Sequence, residues 1–246
     1  MGEIVSLEER GGGVVQVTME DRSAKNTFST ALIEGLKSVF KKIKDNEDYK
    51  VVVINGYENY FCCGGTKEEL KAIYEGQMKF TDLDFFNILL ECKLPVVAAM
   101  QGHALGGGFV FGLYADFIIL GNENVYATNF MKYGFTPGMG GTFIVPYKLG
   151  YILGTELLFT AENYRGIDLK ERGIQLKVVT KTEVIEEALK LAKSLADKPR
   201  NSLIVLKEHM TNEIHTKLKE VIQKELVLHD KTFHSPEVAK RIEAFF

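Results

Sequence analysis

The stretch Gln101-Gly-His-Ala-Leu-Gly-Gly-Gly108 constrains the fold of this chain more than any other. It follows the apolar run 96–100, which predicts a buried strand, and leads into the apolar run 109–115, which predicts a helix. Three consecutive glycines at such a junction let the backbone approach a ligand closely. They also leave free N–H groups at a helix start, where negative charge is favoured. The stretch therefore predicts an anion site at the end of a strand.

Strand and helix patterns alternate through most of the chain. Residues 4–8 and 14–19 predict a β-hairpin, and residues 51–54 and 117–120 predict buried strands. Ser29 is positioned to cap an amphipathic helix that runs to about Asp45. This alternation predicts an α/β fold with a largely parallel sheet covered by helices.

The C-terminal third reads as helical. An apolar helical pattern from Thr182 to Leu195 is interrupted at residues 198–200 and continues over 202–209 and 214–232. A last helix begins at Pro236, and residues 83–90 also predict a helix. We expect residues 1–195 to form the core and residues 196–246 a helical region of the same functional unit.

The composition limits which binding partners, cellular location and metal sites are expected. The net charge of −3, from 30 basic and 33 acidic residues, does not favour nucleic-acid binding. No apolar run approaches the length of about 18 residues that a membrane span requires. The odd set of three cysteines, without a signal-peptide pattern at the N-terminus, predicts a cytoplasmic protein. The five histidines lack metal-ligand spacing, so no metal is expected.

A second glycine-rich stretch, Cys63-Gly-Gly-Thr-Lys67, follows another strand pattern about 40 residues earlier. Together with Ala115-Asp116 and Pro137-Gly-Met-Gly-Gly-Thr142, the two stretches resemble the crotonase superfamily (enoyl-CoA hydratase/isomerase) over nearly the whole chain. The resemblance implies a crotonase (ClpP/crotonase-like) spiral of ββα units with a C-terminal helical trimerisation region. It thus implies a homotrimer or a dimer of trimers, and no cofactor.

The same resemblance places the two N–H donors of an oxyanion hole at Gly65 and Gly107. Such donors stabilise the charge that develops on a thioester oxygen, and loss of one typically costs about 2.7–4 kcal/mol. The alternative is that these glycines only permit tight turns and close packing. Agreement between both stretches and their flanking residues favours the hole.

Two departures from the family pattern bear on the reaction. Hydratases of this superfamily use two glutamates to activate and deliver water, and the equivalent positions here are Val110 and Phe130. Neither side chain transfers protons, which argues against hydration and double-bond isomerisation. They predict an apolar pocket wall instead. Tyr133 is a further pocket candidate, with core packing as the alternative.

Three further stretches resemble one branch of the superfamily, the decarboxylases of polyketide β-branching cassettes that contain an HMG synthase. They are Tyr126 to Pro137, Asn163 to Gly166 and Lys198 to Leu203. The resemblance implies loss of CO2 from a 3-methylglutaconyl group on an acyl carrier protein, which leaves a 3-methylcrotonyl group. The partner implied is thus a carrier protein with a phosphopantetheine-linked acyl group, in antibiotic-type polyketide biosynthesis.

By resemblance, Lys79 and His229 are the candidate catalytic pair. A lysine can pair with a carboxylate or deliver a proton, and a histidine that titrates near neutrality can protonate a dienolate at C4. Which of the two donates the proton is open at this point. Two other functions are also open: hydration or isomerisation of a coenzyme A thioester, and a non-catalytic homologue that binds acyl carriers.

Overall fold

Two β-sheets form the centre of the structure, a computed structural model that describes residues 3–245. The larger sheet has the order β1-β2-β3-β5-β7-β10, and the smaller has the order β4-β6-β8-β9. In chain order the strands are β1 (Val5–Glu9), β2 (Val14–Met19), β3 (Val51–Asn55), β4 (Tyr60–Cys62), β5 (Val96–Met100), β6 (His103–Leu105), β7 (Phe117–Gly121), β8 (Val125–Ala127), β9 (Tyr164–Arg165) and β10 (Lys177–Val179).

Helices cover both sheets, and short 3-10 turns lie at Phe80–Leu83 and Lys181–Glu183. The α-helices are α1 (Thr30–Asp45), α2 (Lys67–Tyr74), α3 (Ile88–Glu91), α4 (Gly107–Leu113), α5 (Phe130–Tyr133), α6 (Gly141–Leu149), α7 (Tyr151–Thr160), α8 (Gly166–Glu171), α9 (Val184–Ala196), α10 (Arg200–Thr232) and α11 (Pro236–Phe245).

From β3 to β8, successive strands alternate between the two sheets, which produces a spiral. β3, β5 and β7 pair in parallel in the larger sheet, while β4, β6 and β8 pair in parallel in the smaller one. Each strand pair is followed by a helix: β3 and β4 by α2, β5 and β6 by α4, and β7 and β8 by α5. This is the repeating ββα order expected from the sequence. It brings the ends of β4 and β6, and therefore both glycine-rich stretches, side by side.

Strands β3 and β5 of the larger sheet are buried along their whole length, as their apolar sequences require. Alternate residues point to opposite faces. Val53 and Val97 pack on the α9 side with Ala188, whereas Ile54 and Ala98 face the main core. The hairpin and α1, with Ser29 accepting the Leu32 N–H at 3.1 Å, agree with the sequence prediction.

The structure differs from the sequence prediction in two helical regions. Residues 83–90 do not form one helix, because Asp84 adopts a left-handed conformation with φ of +36° between the 3-10 turn and α3. The segments 202–209 and 214–232 belong to one continuous helix, α10, because residues 210–213 between them contain no helix breaker. No helix within residues 3–245 is long and apolar enough to cross a membrane.

Candidate active site

Both predicted oxyanion-hole glycines follow a strand of the smaller sheet and line one cavity. The two stretches touch: a Cβ atom on Gly64 would lie 3.2 Å from the Gly107 nitrogen and 2.8 Å from the Leu105 oxygen. Within residues 3–245, the backbone N–H groups of Gly65 and Gly107 have no hydrogen-bond acceptor. Gly107 is the first residue of α4, where N–H groups have no intrahelical partner. Two free donors therefore border the same space.

Gly107 has no room for a side chain. A Cβ atom there would lie 2.8 Å from Phe28 Cε2 and 2.9 Å from Met139 Sδ. Gly106, which precedes it, has φ of +53°, a conformation that favours glycine. The glycine pair is thus required both by the turn and by the packing around the N–H group.

The enclosed volume of the cavity is about 70 Å³, and it is lined mainly by apolar side chains and glycines. Phe130, Tyr133 and His229, which are candidate site residues from the sequence, line it. Tyr133 stacks on Phe135 with ring centroids 6.0 Å apart, and burial raises the pKa of its hydroxyl.

Val110 is fully buried on α4 and lies behind the cavity wall rather than on its surface. A Cβ atom on Gly141 would be 3.5 Å from Val110 Cγ2 and 3.9 Å from Phe130 Cε2. The two side chains that replace the family's glutamates therefore both lie close to Gly141. Of the two, Phe130 reaches the cavity and makes its part of the wall apolar.

His229 lies on α10 and is buried among aromatic rings. Its ring centroid is 5.0 Å from that of Phe80 and 5.2 Å from that of Phe233. Its Nε2 atom lies 2.8 Å from the carbonyl oxygen of Thr136; since a carbonyl only accepts, Nε2 carries the proton. Burial lowers the pKa of His229 to about 4, although nearby carbonyl groups oppose this. The expectation of a histidine that titrates near neutrality was wrong, because this ring is neutral at pH 7.

Lys79 is not in the cavity. Its side chain is exposed, and its backbone N–H donates to Asp82 Oδ2 at 2.7 Å. The next residue, Phe80, is buried and lines the cavity beside His229. Because Lys79 is extended, with φ of −116° and ψ of 155°, successive side chains point in opposite directions. The structure therefore brings His229 together with both hole glycines and leaves Lys79 outside.

Glu69, which has no role in the sequence predictions, also lines the cavity. Its Oε2 atom accepts the Thr66 N–H at 2.8 Å, and Thr66 Oγ1 accepts the Glu69 N–H at 3.1 Å. This is a capping box at the start of α2, and the Thr-Lys-Glu-Glu spacing was its readable signal. Burial raises the pKa of the Glu69 carboxyl.

Two other kinds of chemistry find little support. Cys63 lines the cavity, but burial raises the pKa of its thiol to about 11, so it is not an activated nucleophile. In the described part of the chain, no three His, Cys, Asp or Glu side chains are grouped to hold a metal ion.

Comparisons with known proteins agree with this geometry. Residues 9–246 match the family model for enoyl-CoA hydratase/isomerase. The bacillaene synthase decarboxylase PksI of Bacillus subtilis is 51% identical over 243 residues, which cover 99% of this chain and 98% of that protein.

Two solved structures are also similar. One, from a dehydratase/decarboxylase enzyme couple involved in polyketide β-branching, has a TM-score of 0.97 and 51% identity, with 99% of this chain and 96% of that chain covered. The other, the ECH2 decarboxylase domain of CurF from Lyngbya majuscula, has a TM-score of 0.96 and 46% identity, and both chains are covered completely.

Proposed function

Because this chain belongs to the enoyl-CoA hydratase/isomerase family, the crotonase superfamily, we propose that it removes CO2 from a 3-methylglutaconyl group on an acyl carrier protein. The product is a 3-methylcrotonyl group on the same carrier. The α/β crotonase fold expected from the sequence is confirmed. Relatives at 51% and 46% identity are decarboxylases of the same superfamily, and they support a decarboxylase role in polyketide β-branching.

One observation carries the proposal. Two free N–H donors border a cavity whose wall contains Phe130, backed by Val110, where hydratases of this superfamily have glutamates. The donors suit an enolate oxygen, whereas Phe130 and Val110 offer no group to activate water. A reaction that needs an oxyanion hole but no water is the one that fits.

Decarboxylation meets this requirement. When the bond between C4 and the distal carboxyl breaks, its electron pair passes through the C=C bond into the thioester. The product of this step is CO2 and a dienolate, whose oxygen accepts from Gly65 and Gly107. A proton then adds at C4. The apolar wall desolvates the leaving carboxylate. The CO2 that forms is neutral and needs no solvation of charge there.

The low pKa of His229 indicates that Lys79 and His229, the candidate catalytic pair, have different roles. A neutral imidazole is a poor proton source at pH 7. Its Nε2–H, which donates to the Thr136 oxygen in this structure, can instead donate to the substrate carboxylate. Lys79 is then the remaining candidate donor to C4. To reach C4 it must turn inward, and Gly76 and Asp84, both with positive φ, bound the segment that would rearrange.

The assembly we propose is a homotrimer, with a dimer of trimers as the larger form. Large apolar side chains are exposed on α7, where Ile152 is 82% exposed and Phe159 is 76% exposed. Met210 on α10 is a further exposed large apolar side chain. Exposed apolar groups of this size favour a protein partner, here further copies of the chain. The free thiols of Cys62, Cys63 and Cys92 support a cytoplasmic location.

One observation favours a second candidate, hydration or isomerisation of a coenzyme A thioester. Glu69 places a carboxyl group with a raised pKa in the cavity, and proton transfer next to a thioester needs such a group. However, its bond to the Thr66 N–H commits one oxygen to the start of α2. We therefore rank this candidate second.

The mass of a loaded carrier protein separates the possibilities. An acyl carrier protein bearing 3-methylglutaconyl is incubated with the enzyme. We expect its mass to fall by one CO2. A change by one water would indicate the second candidate. An unchanged mass, with binding retained, would indicate a non-catalytic carrier-binding homologue.

A further inference from the structure

A buried carboxylate on α10 lies behind the cavity and has no part in the chemistry proposed so far. Glu225 is 1% exposed and precedes His229 by one helical turn. Its Oε2 atom accepts the Gly140 N–H at 2.7 Å. Its Oε1 atom accepts the Thr142 N–H at 2.9 Å and the Thr142 hydroxyl at 2.6 Å. These three donors compensate for the loss of water around a buried charge.

The donors belong to the start of α6, where N–H groups lack intrahelical acceptors and negative charge is favoured. Gly140 is the N-cap residue of α6, with φ of +73°, and Thr142 lies in its first turn. Glu225 therefore caps α6 from another helix. Burial raises the pKa of Glu225 to about 6, so the carboxylate is ionised at neutral pH.

The turn that Glu225 holds also forms part of the cavity wall. Met139, between Gly138 and Gly140, lines the cavity, and its sulfur packs against Gly107. The Tyr114 hydroxyl donates to the Met139 carbonyl oxygen at 2.5 Å and holds the same residue from α4.

The other end of this loop is held by α10 as well. There the His229 Nε2–H donates to the Thr136 oxygen. Hydrogen bonds from α10 therefore hold residues 136–142 at both ends. A Cβ atom on Gly138 would lie 3.1 Å from His229 Nε2, which places the turn directly against the ring. One loop thus contacts both the hole glycine and the histidine.

We infer that Glu225 is a positioning residue for the oxyanion hole, because its carboxylate fixes the turn that seats Met139 against Gly107. The inference rests on the proposed function for its kinetic readout. Displacement of an active-site group by about 1 Å can cost on the order of 100-fold in rate. Loosening this turn should therefore slow the reaction without emptying the cavity.

Glu225→Gln tests the inference, with Glu220→Gln, an exposed glutamate of the same helix, as the matched control. Glutamine keeps the shape but directs an NH2 group at a backbone donor. We expect kcat to fall by about 10- to 100-fold with KM nearly unchanged. We also expect the carbonyl stretch of bound 3-methylcrotonyl-pantetheine, polarised by the hole in the wild type, to return toward its solution frequency. Kinetics and a carbonyl band equal to those of Glu220→Gln would overturn the inference.

A second pair of variants decides the matter if Glu225→Gln does not fold. Thr142→Val removes one hydroxyl donor to the carboxylate, and Thr142→Ser keeps it. We expect a lower kcat and a less shifted carbonyl band for the valine variant than for the serine variant. Equal values in both would contradict the inference. If the wild type shifts the carbonyl band but releases no CO2, the proposed function fails while the role of Glu225 is still decided by the band.

Discussion

At the scale of single residues, Gly107 and His229 indicate the chemistry of the site most directly. Gly107 offers an N–H to the cavity and has no space for a methyl group. His229 carries a neutral ring whose N–H donates to Thr136 in this structure, because burial disfavours the charged form. Both are donors without charge, which suits a site that must bind an anion and release neutral CO2.

Gly107→Ala should abolish most of the activity. The added methyl group would lie 2.8 Å from Phe28 Cε2, so the backbone must shift and carry the N–H with it. Loss of one such donor costs about 2.7–4 kcal/mol, so kcat should fall roughly 100- to 1,000-fold in the carrier-protein assay. The control is Gly173→Ala, where φ is +81° but no atom lies within 4 Å of the added Cβ. Normal activity in Gly107→Ala would remove this residue from the hole.

His229 also makes stability depend on pH. Its folded pKa of about 4 lies below the usual 6.5, so its contribution is present above pH 6.5 and is lost as pH falls toward 4. Between pH 7 and pH 5 the wild type should lose about 2 kcal/mol of unfolding free energy more than His229→Gln, which keeps a donor but does not titrate. Denaturant unfolding at both pH values measures the difference. The same pH dependence in both proteins would show that the ring is not buried as described.

At the scale of elements, α10 determines the site because it carries both His229 and Glu225. A buried ion pair connects this helix to the sheet: Lys207 Nζ lies 2.8 Å from Asp116 Oδ2. The same nitrogen donates to the carbonyl oxygens of Leu89 and Leu94, each at 3.1 Å. Helix α10 is therefore anchored beside β5, whose end leads to the glycine-rich stretch.

Lys207→Ala should be strongly destabilising. Removal of one partner takes from Asp116 the ammonium group that contacts it and leaves two carbonyl groups unpaired, a loss of about 3–5 kcal/mol. Lys217→Ala is the control on the same helix, since its pair with Glu220 is half-exposed and should contribute about 1 kcal/mol or less. Denaturant midpoints of the two variants check the ranking. If Lys207→Ala unfolds like Lys217→Ala, the ion pair does not anchor α10.

The elements also show what could be predicted from the sequence. The two glycine-rich turns were readable because glycine is a local requirement of tight, close-packed backbone. The contact of His229 with Thr136 joins residues 93 positions apart, and that of Glu225 with Gly140 spans 85. Such contacts depend on how α10 crosses the spiral, which no local pattern encodes. The orientation of Lys79 was missed for a related reason: burial of its neighbour Phe80 turns it outward.

At the scale of the whole molecule, the division into a core of residues 1–195 and a helical region of 196–246 is still a prediction, as is the trimer. The exposed apolar surface of α7 is the feature on which the trimer rests. A monomer would leave Ile152 and Phe159 in water, whereas a trimer can bury them.

Ile152→Asp should weaken the assembly. We expect the wild type to sediment at three times 27.6 kDa and the variant to shift toward 27.6 kDa, because a charge would be buried unpaired at the interface. Lys41→Asp, a charge change at an exposed site on α1, is the control. Sedimentation velocity measures both. A wild type that sediments as a monomer would refute the trimer.

The central claim is that this cavity exists to break a carbon–carbon bond without water. The most direct test uses 3-methylglutaconyl acyl carrier protein with a 13C label in its distal carboxyl group. We predict that the wild type releases the label as CO2, one per carrier, and leaves 3-methylcrotonyl on the protein. Retention of the label on the carrier, with water added or the double bond moved, would contradict the account.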